Sequence, residues 1–251
     1  MKFLLTAINA KFIHSNPAIY SLRAGVGEKL QPYVELAEFT INESLESILE
    51  GIWKRQPKVI GFSCYIWNWK LIREILTELP KILPDTEIWL GGPEVTYDGP
   101  GLLREFPQVT GIMVGEGEVT FREVLGQYVR EAESTGQSEQ QPEPDSIEQQ
   151  AADRTGTVAG KTVAERFGQI SGLCLASGYT APRELTDLTT LPFLYEDMEP
   201  FTNRIIYYET SRGCPYRCSY CLSSIDKKVR LRDIDVVKRE LQFFLDQNVK
   251  Q

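Results

Sequence analysis

The sequence predicts an α/β protein built on a doubly wound, five-stranded parallel sheet. Two observations predict it: short apolar runs alternate with amphipathic stretches over residues 1 to about 130, and five such rounds can be counted. Phe3 to Ile8 is the first strand-like run, and Asn16-Pro17 then starts a helix with Ile19, Leu22, Val26 and Leu30 at helical spacing. Val34 to Ile41 is the second strand, backed by Leu45, Ile48, Leu49 and Ile52. Val59 to Phe62 is a short buried strand, and Ile72, Ile75, Leu76 and Leu79 line the helix after it. Glu87 to Leu90 and Ile112 to Val114 supply the fourth and fifth strands, and Thr120 with Glu123 reads as a capping box opening the last helix of this unit.

Beyond residue 130 the pattern changes. Residues 131–160 hold seven acids against Arg154, almost no large apolar side chain and no periodicity, so 131–169 is expected to be a disordered acidic, Gln-rich insertion. Ile170 to Leu175 and Tyr179 to Ala181 flank Ser177-Gly178 as a hairpin, with a connector reaching residue 203. A strand-like run, Arg204 to Glu209, leads into a cysteine-rich loop. Ile234, Val237, Leu241 and Phe244 then form a helix started from Asp233 or Asp235.

Composition bounds the function. The chain has 251 residues, 42% hydrophobic and 25% charged, long enough to bury one large core or two. Net charge is −8, of which the acidic insertion carries most, so no cation excess favours nucleic acid. No apolar run approaches the ~20 residues that cross a bilayer, and the first residues turn polar too early for a signal peptide; a cytoplasmic location is expected. Five cysteines without a secretion signal fit a disulfide framework badly. Cys64 and Cys174 stand alone, Cys64 reading as a buried small residue, whereas Cys214, Cys218 and Cys221 read as reduced thiols that hold a metal.

In an open α/β sheet ligands sit beyond the carboxyl ends of the strands. Those ends carry Asn9 and, five residues on, His14; Ser63; Gly91-Gly92; and Gly115-Glu116-Gly117-Glu118. Any one of these glycines can be an ordinary turn. Together the set resembles the cobalamin-binding domain found ahead of radical S-adenosylmethionine (SAM) enzymes, a flavodoxin-like or Rossmann-like sheet. That resemblance implies cobalamin held near Asn9, His14, Ser63, Gly91, Gly92, Gly115, Glu116 and Gly117. The D-x-H-x-x-G motif that supplies an axial histidine in methionine-synthase-type domains is absent. His14 is left with three readings: a cobalt ligand, a contact to the corrin edge, or a loop hydrogen bond.

The segment Gly213-Cys214-Pro215-Tyr216-Arg217-Cys218-Ser219-Tyr220-Cys221 contains C-x3-C-x2-C. Three thiolates at that spacing can hold three irons of a cubane and leave the fourth open, whereas structural zinc normally takes four protein ligands. The pattern closely resembles the radical SAM superfamily. The resemblance implies a [4Fe-4S] cluster on Cys214, Cys218 and Cys221, SAM on the open iron with Tyr220 near its adenine, and an electron donor such as flavodoxin or ferredoxin. It further implies reductive SAM cleavage and, in cobalamin-dependent members, methyl transfer to an unactivated carbon of a small-molecule or peptide substrate. Arg212, Arg217, Lys227, Lys228, Arg230 and Arg232 surround the loop and read as cluster-balancing charge, an anion site or a solvated basic face. A radical SAM (β/α) barrel repeats its βα unit several times, yet only 30 residues follow Cys221. Residues 204–251 are therefore expected to be the first βα unit of a barrel truncated early, a form expected alone to bind cobalamin without turning over. The alternatives are a non-catalytic cobalamin carrier or sensor with a degenerate metal site, and a flavodoxin-like redox module.

Overall fold

The computed structural model describes residues 1–134, 160–221 and 228–249. Its centre is a sheet in the order β2-β1-β3-β4-β5-β6-β7. The first five strands are parallel: β1 (Phe3–Asn9), β2 (Val34–Thr40), β3 (Val59–Ser63), β4 (Glu87–Gly91) and β5 (Val109–Met113). Two more follow antiparallel, β6 (Leu173–Leu175) and β7 (Gly178–Tyr179). The predicted hairpin thus exists, but it extends the main sheet, with Met113 opposite Leu173.

Strand periodicity sorts the side chains onto two faces. Leu4 and Ile8 point to a core shared with Ile48 and Ile52 of α2 (Leu45–Trp53), with Ile72, Ile75, Leu76 and Leu79 of α3 (Trp69–Ile82), and with Leu103 of α4 (Gly99–Glu105). Phe3, Leu5 and Ala7 point the other way. They meet Ile19 of α1 (Pro17–Gly25), Phe121, Val124, Leu125 and Tyr128 of α5 (Gly117–Ser134), and Phe167 of α6 (Val163–Phe167). Helices on both faces make the sheet doubly wound, as the sequence predicts. The order reverses between β1 and β3, which creates a crevice at their carboxyl ends.

Several boundaries differ from expectation. Helix α5 begins at Gly117, so Thr120 is inside it and caps nothing; the buried Thr120 hydroxyl donates to the Ser171 carbonyl (3.3 Å). The capping box belongs to Thr162 and Glu165, which start α6. The insertion is shorter than expected at both ends, because α5 runs to Ser134 and α6 occupies 163–167; its remaining part, 135–159, and Lys227 lie outside the described residues. Arg166 ties the two ends together, with its side chain buried between Glu87 and Glu131, each at 2.9 Å.

The expected strand 204–209 is not a ladder strand. It makes a single bridge, His14 to Ile205, beside the β1–α1 loop, and is held by side chains: Arg204 pairs with Glu38, Tyr207 meets His14, and Tyr208 donates to Glu240 at 2.6 Å. The cysteine loop is flanked by a small antiparallel ribbon, β8 (Ser211–Arg212) with β9 (Arg230–Leu231), and followed by α7 (Ile234–Asp246), whose N-cap is Asp233. No barrel sheet is present among the described residues. Helix α7 leans on the connector through aromatic rings, Phe244 lying 5.1 Å from Tyr195 and 5.7 Å from Tyr208. Among the described residues no helix is long and apolar enough to cross a membrane.

Candidate functional site

The crevice between β1 and β3 is built by amide side chains. Asn68, fully buried at the start of α3, donates through Nδ2 to the Ile8 carbonyl (3.0 Å) and the Ser63 carbonyl (2.9 Å), while its Oδ1 accepts from the Tyr65 amide (2.8 Å). It thereby fixes the β3–α3 loop to the end of β1. Asn16 has N-cap geometry for α1 but no capping bond; its Nδ2 instead reaches the Ser63 hydroxyl at 3.4 Å, and its buried Oδ1 has no hydrogen-bond partner.

Glu38, nearly buried at the end of β2, gathers the opposite side. It accepts from Asn9 Nδ2 (2.9 Å), the Asn16 amide (2.9 Å) and the Tyr20 hydroxyl (2.9 Å), and pairs with Arg204. Burial, then the Glu38 charge, raise the Tyr20 phenol well above its ordinary range, so it stays a donor. Sequence reasoning missed both Glu38 and Asn68 as site builders. Of the predicted residues, Asn9 is therefore occupied in holding the loop, also donating to the His14 carbonyl at 3.0 Å. His14 sits in that loop with Nδ1 against the Tyr207 hydroxyl, so one ring nitrogen is committed to a loop hydrogen bond.

The glycines divide. Gly92 has φ +109°, and a Cβ there would lie 2.4 Å from the Cys64 carbonyl oxygen, so this glycine lets the loops after β3 and β4 pack backbone to backbone. The Cys64 amide donates to the Gly91 carbonyl at 2.7 Å in the same contact. Gly115, φ +80°, faces open space. Cys64 and Cys174 are buried, and burial pushes both thiols up. Around this edge the loops present large apolar side chains to solvent: Phe12 (66% exposed) and Ile13 after β1, Ile66 (81%) and Trp67 after β3, and Tyr97 after β4. Trp67 stacks on Tyr65 at 4.4 Å and 8°. Exposed rings on three neighbouring loops, with an unpartnered amide oxygen and a glycine facing open space, suit a broad, flat, largely apolar ligand such as a corrinoid.

The Gly-Glu-Gly-Glu turn does not offer its carboxylates to such a ligand. Glu116 accepts from the Thr186 amide (2.6 Å) and pairs with Arg230, with Arg212 at 3.5 Å. Burial alone would raise its carboxyl; the Arg230 bond, the Thr186 amide and the Arg212 charge outweigh that and hold it below its ordinary value. Glu118 accepts from Ser21 Oγ (3.0 Å) and pairs with Arg212 at 2.6 Å. Arg232 pairs with Glu240 at 2.6 Å. Arg212, Arg230 and Arg232 thus form neither a solvated face nor an anion site; Arg217 and Lys228 carry no such pairing in the structure as described.

These pairs seat the cysteine loop on the carboxyl edge of the sheet. A cleft of about 470 Å³ lies between them, lined by Ser21, Tyr65, Glu118, Tyr195, Tyr207 and Arg212 among others. Cys214 and Cys218 are half-buried, Cys221 is exposed, and all three are free thiols. The Cys221 amide donates to the Cys218 carbonyl (3.1 Å), and Tyr220 is 91% exposed. Among the described residues no three Cys, His, Asp or Glu side chains gather around a common point. The donor set fits an iron–sulfur cluster in kind and sequence spacing; bringing the sulfurs together would fall to the metal, as is common where ligand binding and loop ordering are coupled.

Residues 4–125 match the B12 binding domain family. The chain is similar to 2-(S-pantetheinyl)-carbapenam-3-carboxylate methyltransferase of Streptantibioticus cattleyicolor, 28% identical over 219 residues, covering 83% of this chain and 28% of that protein. It is also similar to the cobalamin-dependent radical SAM methyltransferase TokK of Streptomyces tokunonensis, 29% identical over 175 residues, covering 66% and 22%. In fold it resembles the structure of the cobalamin-dependent S-adenosylmethionine radical enzyme OxsB solved with aqua-cobalamin and S-adenosylmethionine bound. That likeness has a TM-score of 0.63 at 17% identity and covers 95% of this chain and 31% of OxsB. The chain spans less than a third of the length of each of these proteins. Residues 4–125 are thus similar to B12 binding domains, and the chain is similar to part of cobalamin-dependent radical SAM methyltransferases.

Proposed function

We propose that this chain is the cobalamin-binding and cluster-binding portion of a cobalamin-dependent radical SAM enzyme that transfers a methyl group to an unactivated carbon. One observation carries the reading: the loop bearing Cys214, Cys218 and Cys221 is seated by ion pairs over the carboxyl edge of a B12 binding domain. When bound, a [4Fe-4S] cluster supplies the electron that cleaves SAM, and cobalamin supplies a transferable methyl group.

The chain's own residues have positioning tasks. Asn68 and Asn16 hold the crevice walls at β1 and β3, Gly92 allows the close loop contact beside them, and the exposed side chains of Phe12, Ile66 and Trp67 offer apolar cover to a corrin. Cys214, Cys218 and Cys221 would hold the cluster, with Tyr220 offered to SAM. Leu194, Tyr195 and Tyr207 line the cleft beside the ion-paired ribbon and would give a bound substrate an apolar wall with two phenol hydroxyls.

The test is anaerobic reconstitution of the full chain with iron and sulfide, together with titration by aquacobalamin. Retention of about four irons per chain, lost when the three cysteines become alanine, and a shifted corrinoid absorption spectrum are expected. A chain that binds neither iron nor corrinoid refutes the proposal. Corrinoid uptake with zinc or no iron would instead favour a carrier or sensor.

A further inference from the structure

The ribbon that carries the cysteine loop is poorly built to stand alone. Its two strands contribute two residues each, far short of what an isolated hairpin needs. In its register Arg212 lies directly opposite Arg230, a like-charge cross-strand pair that destabilises a ladder. What reconciles the two guanidinium groups is the Gly-Glu-Gly-Glu turn. We infer that Glu116 and Glu118 are positioning residues: a two-pronged carboxylate clamp that seats the cysteine ribbon on the B12 binding domain, with neither carboxylate serving as a cobalamin contact.

Each prong is held from behind and used in front. Glu118 lies in the first turn of α5, where Ser21 of α1 donates to its Oε1 and the Gly25 backbone packs close to its side chain. From the ribbon side Arg212 reaches both its oxygens, at 2.6 and 3.3 Å, and continues through Nε to Glu209 at 2.8 Å. Glu116 is held by the Thr186 amide, and Arg230 bridges Glu116 and the Thr186 carbonyl, the latter at 2.7 Å. Both Glu116 oxygens are thus committed. One prong takes the arginine of β8 and the other mainly that of β9, so two anions neutralise two cations that the ribbon itself sets side by side. All four side chains are at most one-fifth exposed, where solvent screens such pairs little.

The inference rests on the proposed function for its purpose, which is to fix the cysteine loop relative to the corrin side, but its test does not. Amide hydrogen exchange across residues 210–213 and 230–232 is read in the metal-free full chain. Two double-mutant cycles are used, E118Q with R212Q and E116Q with R230Q, and exchange in β1 serves as the folding control. Each single substitution is expected to speed ribbon exchange about tenfold or more while β1 stays protected, and each double to add little beyond its singles. Aquacobalamin titration of E116Q is expected to give a Kd within about twofold of the unmodified chain. Unchanged ribbon exchange, or additive effects within a cycle, overturns the clamp. So does E116Q that weakens aquacobalamin binding tenfold with the ribbon still protected, which would make Glu116 a ligand contact. R212Q and R230Q act from the ribbon side and keep the question open to refutation should E118Q unfold α5. If the unmodified chain takes up neither iron nor corrinoid, the functional reading fails while the exchange result still decides the clamp.

Discussion

Replacing Gly92 by alanine should be among the most damaging single-methyl additions in the protein. Its φ of +109° lies outside the wells an L-residue occupies comfortably, and the new Cβ would stand 2.4 Å from the Cys64 oxygen and 3.1 Å from its nitrogen. Neither obstacle is a flexible side chain. Cys64 is bonded through its amide to Gly91, and Asn68 anchors the same loop at Ser63 and Tyr65, so the backbone has little room to yield. Backbone strain of about 1–3 kcal/mol and overpacking of about 1–3 kcal/mol together give roughly 2–6 kcal/mol of destabilisation. At about 2–4 °C per kcal/mol for a chain of this size, the melting temperature should fall by roughly 4–24 °C, centred on about 12 °C. Gly115 is the internal control: its φ is also positive, +80°, but nothing stands within 4 Å of an added Cβ. G115A should therefore cost only about 1 kcal/mol, or a few degrees. Thermal melting followed by circular dichroism measures both. A G92A chain that melts within about 3 °C of the unmodified one, or no more than G115A does, refutes the reasoning.

Further outcomes follow from the same geometry. Glu38→Gln leaves Arg204 beside a neutral amide in a nearly buried site and should lower stability by about 2–4 kcal/mol in a denaturant titration, with the 204–209 segment becoming protease-sensitive. Asn68→Ala removes three hydrogen bonds and orphans the Ile8 and Ser63 carbonyls and the Tyr65 amide, costing about 2–4 kcal/mol by the same assay. Titration of the native metal-free chain with a thiol reagent should show Cys214, Cys218 and Cys221 reacting fast, and Cys64 and Cys174 only on unfolding, because burial raises the latter pair. The folded Glu116 carboxyl is held below its ordinary value, so its stabilising contribution is complete above that value, 4.5, and is lost as pH falls through the lower folded value. The melting-temperature gap between the unmodified chain and E116Q should accordingly be constant near neutrality and close in acid.

Periodicity and apolar runs located the five parallel strands and most of the helices because those signals are local. Helix α4 escaped because Gly99-Pro100-Gly101 reads as a turn, although Asp98 caps it by accepting from the Gly101 amide at 3.2 Å. Thr120 with Glu123 has the spacing of a capping box, yet the helix had already begun at Gly117; the real box at Thr162 and Glu165 fell in a stretch too polar to suggest structure. The site was half legible. Glycines after strands pointed to the carboxyl edge of the sheet, but which glycine packs against backbone and which faces space depends on a neighbouring loop. Glu116 stood out as a motif residue, while its partners Thr186, Arg212 and Arg230 lie 70 to 114 residues away and carry no local sign of pairing. The same distance hid the addition of β6 to the sheet, since nothing near Met113 announces Leu173.

Arg166 has a consequence for how this chain tolerates change. By gripping Glu131 on one side and belonging to α6 on the other, it fastens together the two points between which residues 135–159 run. Flexible sequence spliced into that interval would have its ends held at a preset spacing, and doubling such a span costs only about 0.6 kcal/mol of closure entropy. An epitope, a fluorophore tether or a lineage-specific extension placed there should leave the crevice and the thiols undisturbed.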